Sequence, residues 1–153
     1  MSFGIFNLLI QESLIKCLKT KIEGLFRRFS VPLIIIDSVA GVFRGDENVY
    51  SAPQKARQIC QLGLVLQSLQ RRTKGVILCL NQVADCLEEF IPCKIPALGL
   101  TWAHFMTGRV MLTRHCTSPS VGTSRRTFTV ISGPNLPPAC ADFVIDAFGF
   151  HFV

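Results

Sequence analysis

An α/β fold with a mainly parallel sheet and a β-rich C-terminal tail is what the 153 residues predict. Three observations point there. An apolar, β-branched run, Leu33 to Ile36, ends in a single acid, Asp37; such a run without polar alternation reads as a strand buried on both faces of a parallel sheet. A stretch of helical periodicity and a second unbroken apolar strand follow it, the order of a strand–helix–strand crossover. Towards the C-terminus, "RRTFTVIS" and "DFVIDAFGF" alternate as strands do, around Gly-Pro and Pro-Pro turns.

The elements follow in order. Residues 5–10 ("IFNLLI") read as a short strand. From about Glu12 to Arg28, Leu14, Ile15, Leu18, Ile22, Leu25 and Phe26 recur at helical spacing. After the Leu33–Ile36 strand, Ser51 and Pro53 mark a helix start, a capping hydroxyl with proline in the first turn. Ile59, Leu62, Leu66 and Leu69 form one face of that helix, which runs to about Arg72. "GVILCLNQV", 75–83, is the second buried strand. Residues 84–98 hold two prolines and read as a loop with little structure of its own. A helical turn precedes a strand near Arg109 to Thr113, and strands at 125–132 and 142–150 complete the tail.

Hydrophobic residues make up 49% and charged ones 17%, an interior-rich composition that argues against disorder. A mean hydropathy of +0.40 points to surface meant for a partner, or to a missing piece of the fold. No apolar run approaches the ~20 residues that span a bilayer. The start lacks a basic region ahead of its apolar stretch, so a secretory leader is not expected. The seven cysteines include no C-x-x-C pair and read as reduced thiols. Cys86, Cys93, His104, His115 and Cys116 match no zinc-finger or zinc-ribbon spacing. The net charge of +6 is scattered, and by itself fits a solvated face as well as a phosphate-binding one.

In open α/β sheets ligands bind beyond the carboxyl ends of the strands. Asp37 and the pair Asn81 and Gln82 fall there. An acid closing one strand beside a polar tip on the next is how P-loop nucleotide triphosphatases hold Mg²⁺ and sense the γ-phosphate. The phosphate cradle itself, G-x-x-x-x-G-K-[ST], is absent, and the chain has no Gly-Lys dipeptide. Tight nucleotide binding is therefore not expected of this chain alone.

"LIIIDSVAGVFR", "SAPQKARQICQLGLVLQSL", "VILCLNQV", "PALGLTWAHFMTGRVML" and "SGPNLPP" occur in the order found in RecA-like strand-exchange recombinases. The chain resembles that family from about residue 7 to about 150, and its "SAP", "NQV", "PALG" and "LPP" pieces resemble a eukaryotic paralogue more than the strand-exchange enzyme. The resemblance implies one partial RecA-like core over 1–153, lacking the P-loop strand, its helix and the helical N-terminal domain. It would leave a gap in the sheet between the strands ending at Asn81–Gln82 and at Thr113.

What the resemblance implies for the site is specific. Asp37 matches the acid that holds Mg²⁺ through water, and Gln82 the sensor joining nucleotide to the second DNA loop. Residues 45–51 and 84–97 match the two DNA-facing loops, with Arg44 entering the first and Lys94 in the second. His104 matches a histidine that reaches a neighbour's γ-phosphate. Ser132 and Pro134 fall in the cap over a neighbour's nucleotide, although Ser132 stands where active recombinases carry an acid. Trp102 reads as core packing rather than a base-stacking platform. The implied role is in homologous-recombination repair, in the nucleus with the cytoplasm as second choice. DNA, single-stranded or branched, and another recombinase paralogue are the implied partners, with ATP and Mg²⁺ used by the full-length family. Without its cradle the chain is not expected to be an active ATPase alone. The competing reading is a non-catalytic module, or truncated isoform, that occupies a paralogue's interface without touching DNA.

Overall fold

The computed structural model describes residues 11–29, 33–46, 51–86, 93–115 and 124–153. They fall into two compact units that divide between Phe105 and Met106. The strand predicted at 5–10 lies outside the described residues.

In the first unit, the amphipathic stretch becomes helix α1 (Gln11–Cys17), a π-helical turn (Leu18–Ile22) and helix α2 (Glu23–Arg28). Within the π turn the Thr20 hydroxyl donates to Lys16 O at 2.8 Å, a back-bond of the kind that bends helices. Leu14, Ile15, Cys17 and Leu18 are buried. Strand β1 (Leu33–Ile36) pairs in parallel with β2 (Val76–Cys79), Leu33 opposite Val76 and Ile36 opposite Cys79. Between them come a 3₁₀ turn (Ala40–Asp46) and helix α3 (Ala52–Thr73).

Helix α3 begins where its sequence says it should. The Ser51 N–H donates to Gln54 Oε1 at 2.8 Å, with Pro53 in the first turn. It ends at Lys74, in the left-handed region at φ 54°, whose N–H donates to Gln70 O at 2.9 Å. Ile59, Leu62, Leu66 and Leu69 are all buried, as their spacing predicts. The helix packs against α1, β2 and helix α4 (Gly99–Ala103). Trp102 of α4 is 4% exposed, so it is a core residue.

Burial of the two parallel strands differs from expectation. Leu33, Ile35, Val76 and Leu78 are between 47% and 63% exposed, whereas Ile36 is buried and Ile34, Ile77 and Cys79 are half-buried. One face is open. The crossover supplies a single helix against β2, and one helix shields one face. Burial still acts on Cys79, raising its thiol pKa to about 11, because the charged thiolate is disfavoured away from water.

Residues 84–98, read as loop, carry structure. Strands β3 (Val83–Cys86) and β4 (Cys93–Pro96) pair antiparallel, with Asp85 opposite Lys94. The single strand predicted over 75–83 is thus two, β2 and the start of β3. Proline is tolerated at the end of such a ribbon because no neighbour needs its missing N–H.

The second unit is a four-stranded antiparallel sheet in chain order: β5 (Arg109–Arg114), β6 (Arg126–Ser132), β7 (Cys140–Asp146) and β8 (Gly149–Phe152). The predicted strand at 142–150 is split by a tight turn. There Asp146 Oδ1 accepts the Phe148 N–H at 2.8 Å, and Gly149 takes φ 110°, a conformation that only glycine adopts cheaply. Leu112, Phe128, Phe143, Ile145, Phe150 and Phe152 line an apolar hollow on one face. The Phe143 and Phe150 rings lie 4.9 Å apart, centre to centre.

The α/β class holds. The expected mainly parallel pairing does not: among the described residues only β1 and β2 run parallel, and the other pairs are antiparallel. A parallel pair needs a long crossover, and α3 provides one; strands joined by short turns can only fold back on themselves. No described helix is long and apolar enough to cross a membrane.

Candidate functional site

The end of the parallel pair is built by main-chain bonds. Leu80 N–H donates to Ile36 O and Val39 N–H donates to Leu80 O, each at 2.9 Å. The chain leaving β1 is therefore stitched to the chain leaving β2, which brings Asp37 and Gln82 to one end of the sheet. Asp37 is exposed, and no described residue bonds or pairs with its carboxylate. An exposed carboxylate keeps its hydration, so Asp37 needs no protein partner at the end of this apolar strand. The Asp37–Ser38 peptide bond is cis.

Beyond Asp37 the chain dives back into the core. Val39 and Phe43 are 0% and 1% exposed, and Ala40 and Val42 are also buried. These four side chains anchor the 3₁₀ turn, and Arg44 emerges from it exposed. The turn's anchoring thus holds an unburied acid and an unburied cation seven positions apart at one end of the fold. Residues 47–50 of the first predicted DNA loop lie outside the described residues.

Asn81 and Gln82 form a brace that sequence reasoning missed. Asn81 Nδ2 donates to Ala97 O, and Ala97 N–H donates to Gln82 O, both at 2.8 Å. This grips the start of the "PALG" turn, where Leu98 and Gly99 take φ 69° and 61°. The brace fixes the segment that leads into α4 and His104. His104 is exposed at the end of α4, so it is no satisfied core histidine. Asn81 Oδ1 is buried without a hydrogen-bond partner among the described residues; the "NQ" pair itself was the only signal for any of this.

Lys94 is not a free cation. It pairs with Asp85 directly across the β3–β4 ribbon. Both side chains are exposed, so the pair contributes no more than about 1 kcal/mol, but it neutralises the charge that a DNA backbone would meet. Residues 87–92 of the second predicted loop lie outside the described residues.

Ser132 and Pro134 belong to the second unit, at and just past the end of β6, and both are exposed. Arg109 Nε donates to Ser132 Oγ at 3.3 Å. On the polar face of the same sheet, Arg125 pairs with Asp142, Thr127 donates to Asp142 Oδ1 at 2.7 Å, and His115 Nε2 lies 2.6 Å from Thr127 Oγ1. The hydrogen bond from Arg125, then that from Thr127, holds the Asp142 carboxyl below its ordinary 3.8. A depressed folded pKa means stabilisation that is present above the unfolded value and lost as pH falls through the folded one. Asp142→Asn is therefore expected to flatten the loss of β-sheet signal below about pH 4 in an acid titration by circular dichroism. An unchanged acid limb would refute that role for Asp142.

No protein-family model matches the chain. Among curated proteins, DNA repair protein XRCC3 of Bos taurus is 31% identical over 144 residues, covering 90% of this chain and 42% of that protein. DNA repair protein XRCC3 of Mus musculus is 28% identical over 154 residues, with coverage of 92% and 44%. DNA repair protein rhp57 of Schizosaccharomyces pombe is 23% identical over 160 residues, covering 83% and 45%. The chain thus spans less than half the length of these relatives.

Proposed function

The chain is an XRCC3-like paralogue of the RecA recombinase family, and from that premise we propose that it is part of an ATPase core serving homologous-recombination repair in the nucleus. In this reading residues 1–153 correspond to the C-terminal part of a RecA-like core that binds DNA and works with another recombinase paralogue. The observation that carries it is the shared placement of Asp37, Gln82 and Arg44: acid and polar tip at one end of adjacent parallel strands, with the cation on the turn that follows. His104, exposed after the braced turn, and the exposed Ser132 and Pro134 suit contacts to a neighbouring subunit.

The described residues offer a metal one carboxylate and no cluster of further ligands, and they do not fit a whole nucleotide. Asp37, exposed and without a protein partner among the described residues, suits a water-mediated contact to Mg²⁺. The bound ion would neutralise phosphate charge. The phosphates need a cradle of backbone N–H groups and a lysine, which these 153 residues do not contain. ATP binding is thus a property of the longer protein in this reading.

Arg44 provides the test. Fluorescence anisotropy with a labelled single strand over a salt series is expected to show weak binding without sequence preference. Arg44→Ala should lower affinity equally for all sequences and reduce the salt slope by roughly 0.7. An affinity and slope untouched by the substitution would overturn the DNA assignment.

A second reading has its own observation. The open apolar face of Leu33, Ile35, Val76 and Leu78 and the neutralised Lys94 suit a module that docks against a paralogue without contacting DNA. A complex that forms normally while single-strand affinity is nil would favour it.

A further inference from the structure

The β3–β4 ribbon sets two cysteines directly opposite each other, Cys86 against Cys93. The type of this pair follows from the ladder. Ala97 N–H donates to Gln82 O, so Gln82 and Ala97 form a hydrogen-bonded pair, and ladder pairs alternate with a period of two. Ala84 with Ile95, and Cys86 with Cys93, are then of the same type. Opposed residues of that type have Cα atoms about 5.5 Å apart, inside the window that a disulfide bridges.

We propose that Cys86 and Cys93 form a reversible intrachain disulfide, exchanged with a low-molecular-weight disulfide such as oxidised glutathione. One thiolate attacks the glutathione disulfide, forming a mixed disulfide and releasing one glutathione thiolate. The second cysteine attacks the protein sulfur of that mixed disulfide and expels the other glutathione. Two protein thiols are oxidised, one glutathione disulfide is reduced to two thiols, and the two thiol protons end on the glutathiones. The exchange is a modification of the ribbon itself and is independent of the DNA reading.

The other described cysteines make the contrast. Cys17 is buried, Cys60 on α3 is half-buried, burial raises the Cys79 thiol pKa to about 11, and Cys140 is exposed in β7, where its register partner is Thr129. The test uses the whole chain in graded ratios of oxidised to reduced glutathione, followed by thiol blocking, digestion without reductant and peptide mass mapping. A Cys86–Cys93 cross-linked peptide as the main intrachain product is expected, with Cys140 carrying glutathione alone. Separate glutathione adducts on Cys86 and Cys93, no oxidation of either, or a main link from either to a different cysteine would overturn the proposal. The serine variants supply the second check. Of Cys86→Ser and Cys93→Ser, at least one should trap its remaining ribbon cysteine as a stable glutathione adduct. Trapping in neither variant would sink the exchange mechanism.

Discussion

Phe43→Ala is expected to cost the first unit about 3–5 kcal/mol, the range for removing a buried phenyl ring. Phe43 is 1% exposed and sits in the 3₁₀ turn against which α1 packs. Domains are stable by only about 5–15 kcal/mol, so the loss should lower the unfolding temperature by roughly 10 °C or more. Trp102 is the sole tryptophan and lies buried in the same unit, so its fluorescence reports this unfolding directly. A destabilisation below about 1 kcal/mol would show that the site relaxes to fill the cavity. The substitution carries a functional consequence too. Val39, Ala40, Val42 and Phe43 are the buried anchors between Asp37 and Arg44. Loss of the largest should loosen the geometry of both exposed groups before the unit unfolds.

Gly63→Ala is the second large effect, and its sign runs against helix propensity. Inside a helix, alanine for glycine normally gains about 1 kcal/mol. A Cβ at position 63 of α3, however, would sit 2.3 Å from Cγ of Phe105 and 2.5 and 2.6 Å from its Cδ atoms. These atoms are the root of the ring, so the whole side chain must move, at a cost of about 1–3 kcal/mol for overpacking. The net expectation is a loss of up to about 2 kcal/mol, read by denaturant titration of Trp102 fluorescence. In a Phe105→Ala background the ring is gone, and Gly63→Ala should become neutral or stabilising. If the double-mutant cycle shows no coupling, the close approach is not what selects glycine at position 63.

The two substitutions mark how far the sequence could be read. The buried face of α3 at Ile59, Leu62, Leu66 and Leu69 was legible because 3.6-residue periodicity reports burial directly. The start of that helix at Ser51 and Pro53 was legible because capping chemistry is local. Nothing local marked Gly63, since its requirement comes from Phe105, 42 positions further on. The β3–β4 ribbon was also missed: a pair of short strands with proline at their ends carries no periodic signal. The apolar run of β1 and β2 was misread as buried on both faces, because hydrophobicity says what a strand prefers and not what is available to cover it.

For the candidate site the division is similar. Asp37 and Gln82 could be placed at strand ends from the runs before them, and Arg44 just past the first. That Asp37 needs no partner, that Asn81 and Gln82 grip Ala97, that Lys94 is neutralised by Asp85 and that His104 is exposed all required coordinates. By itself the sequence determined the α/β class, the face of α3, the strand-end positions of the site residues and the kinship to the XRCC3-like recombinase paralogues. These depend on short-range spacing or on ordered motifs, both written along the chain. Only the tertiary structure decided which strands pair and in which direction, which apolar faces stay open and which charges are already matched. Those outcomes depend on contacts between residues distant in sequence, where the free energy of a side chain is set by its neighbours rather than by its type.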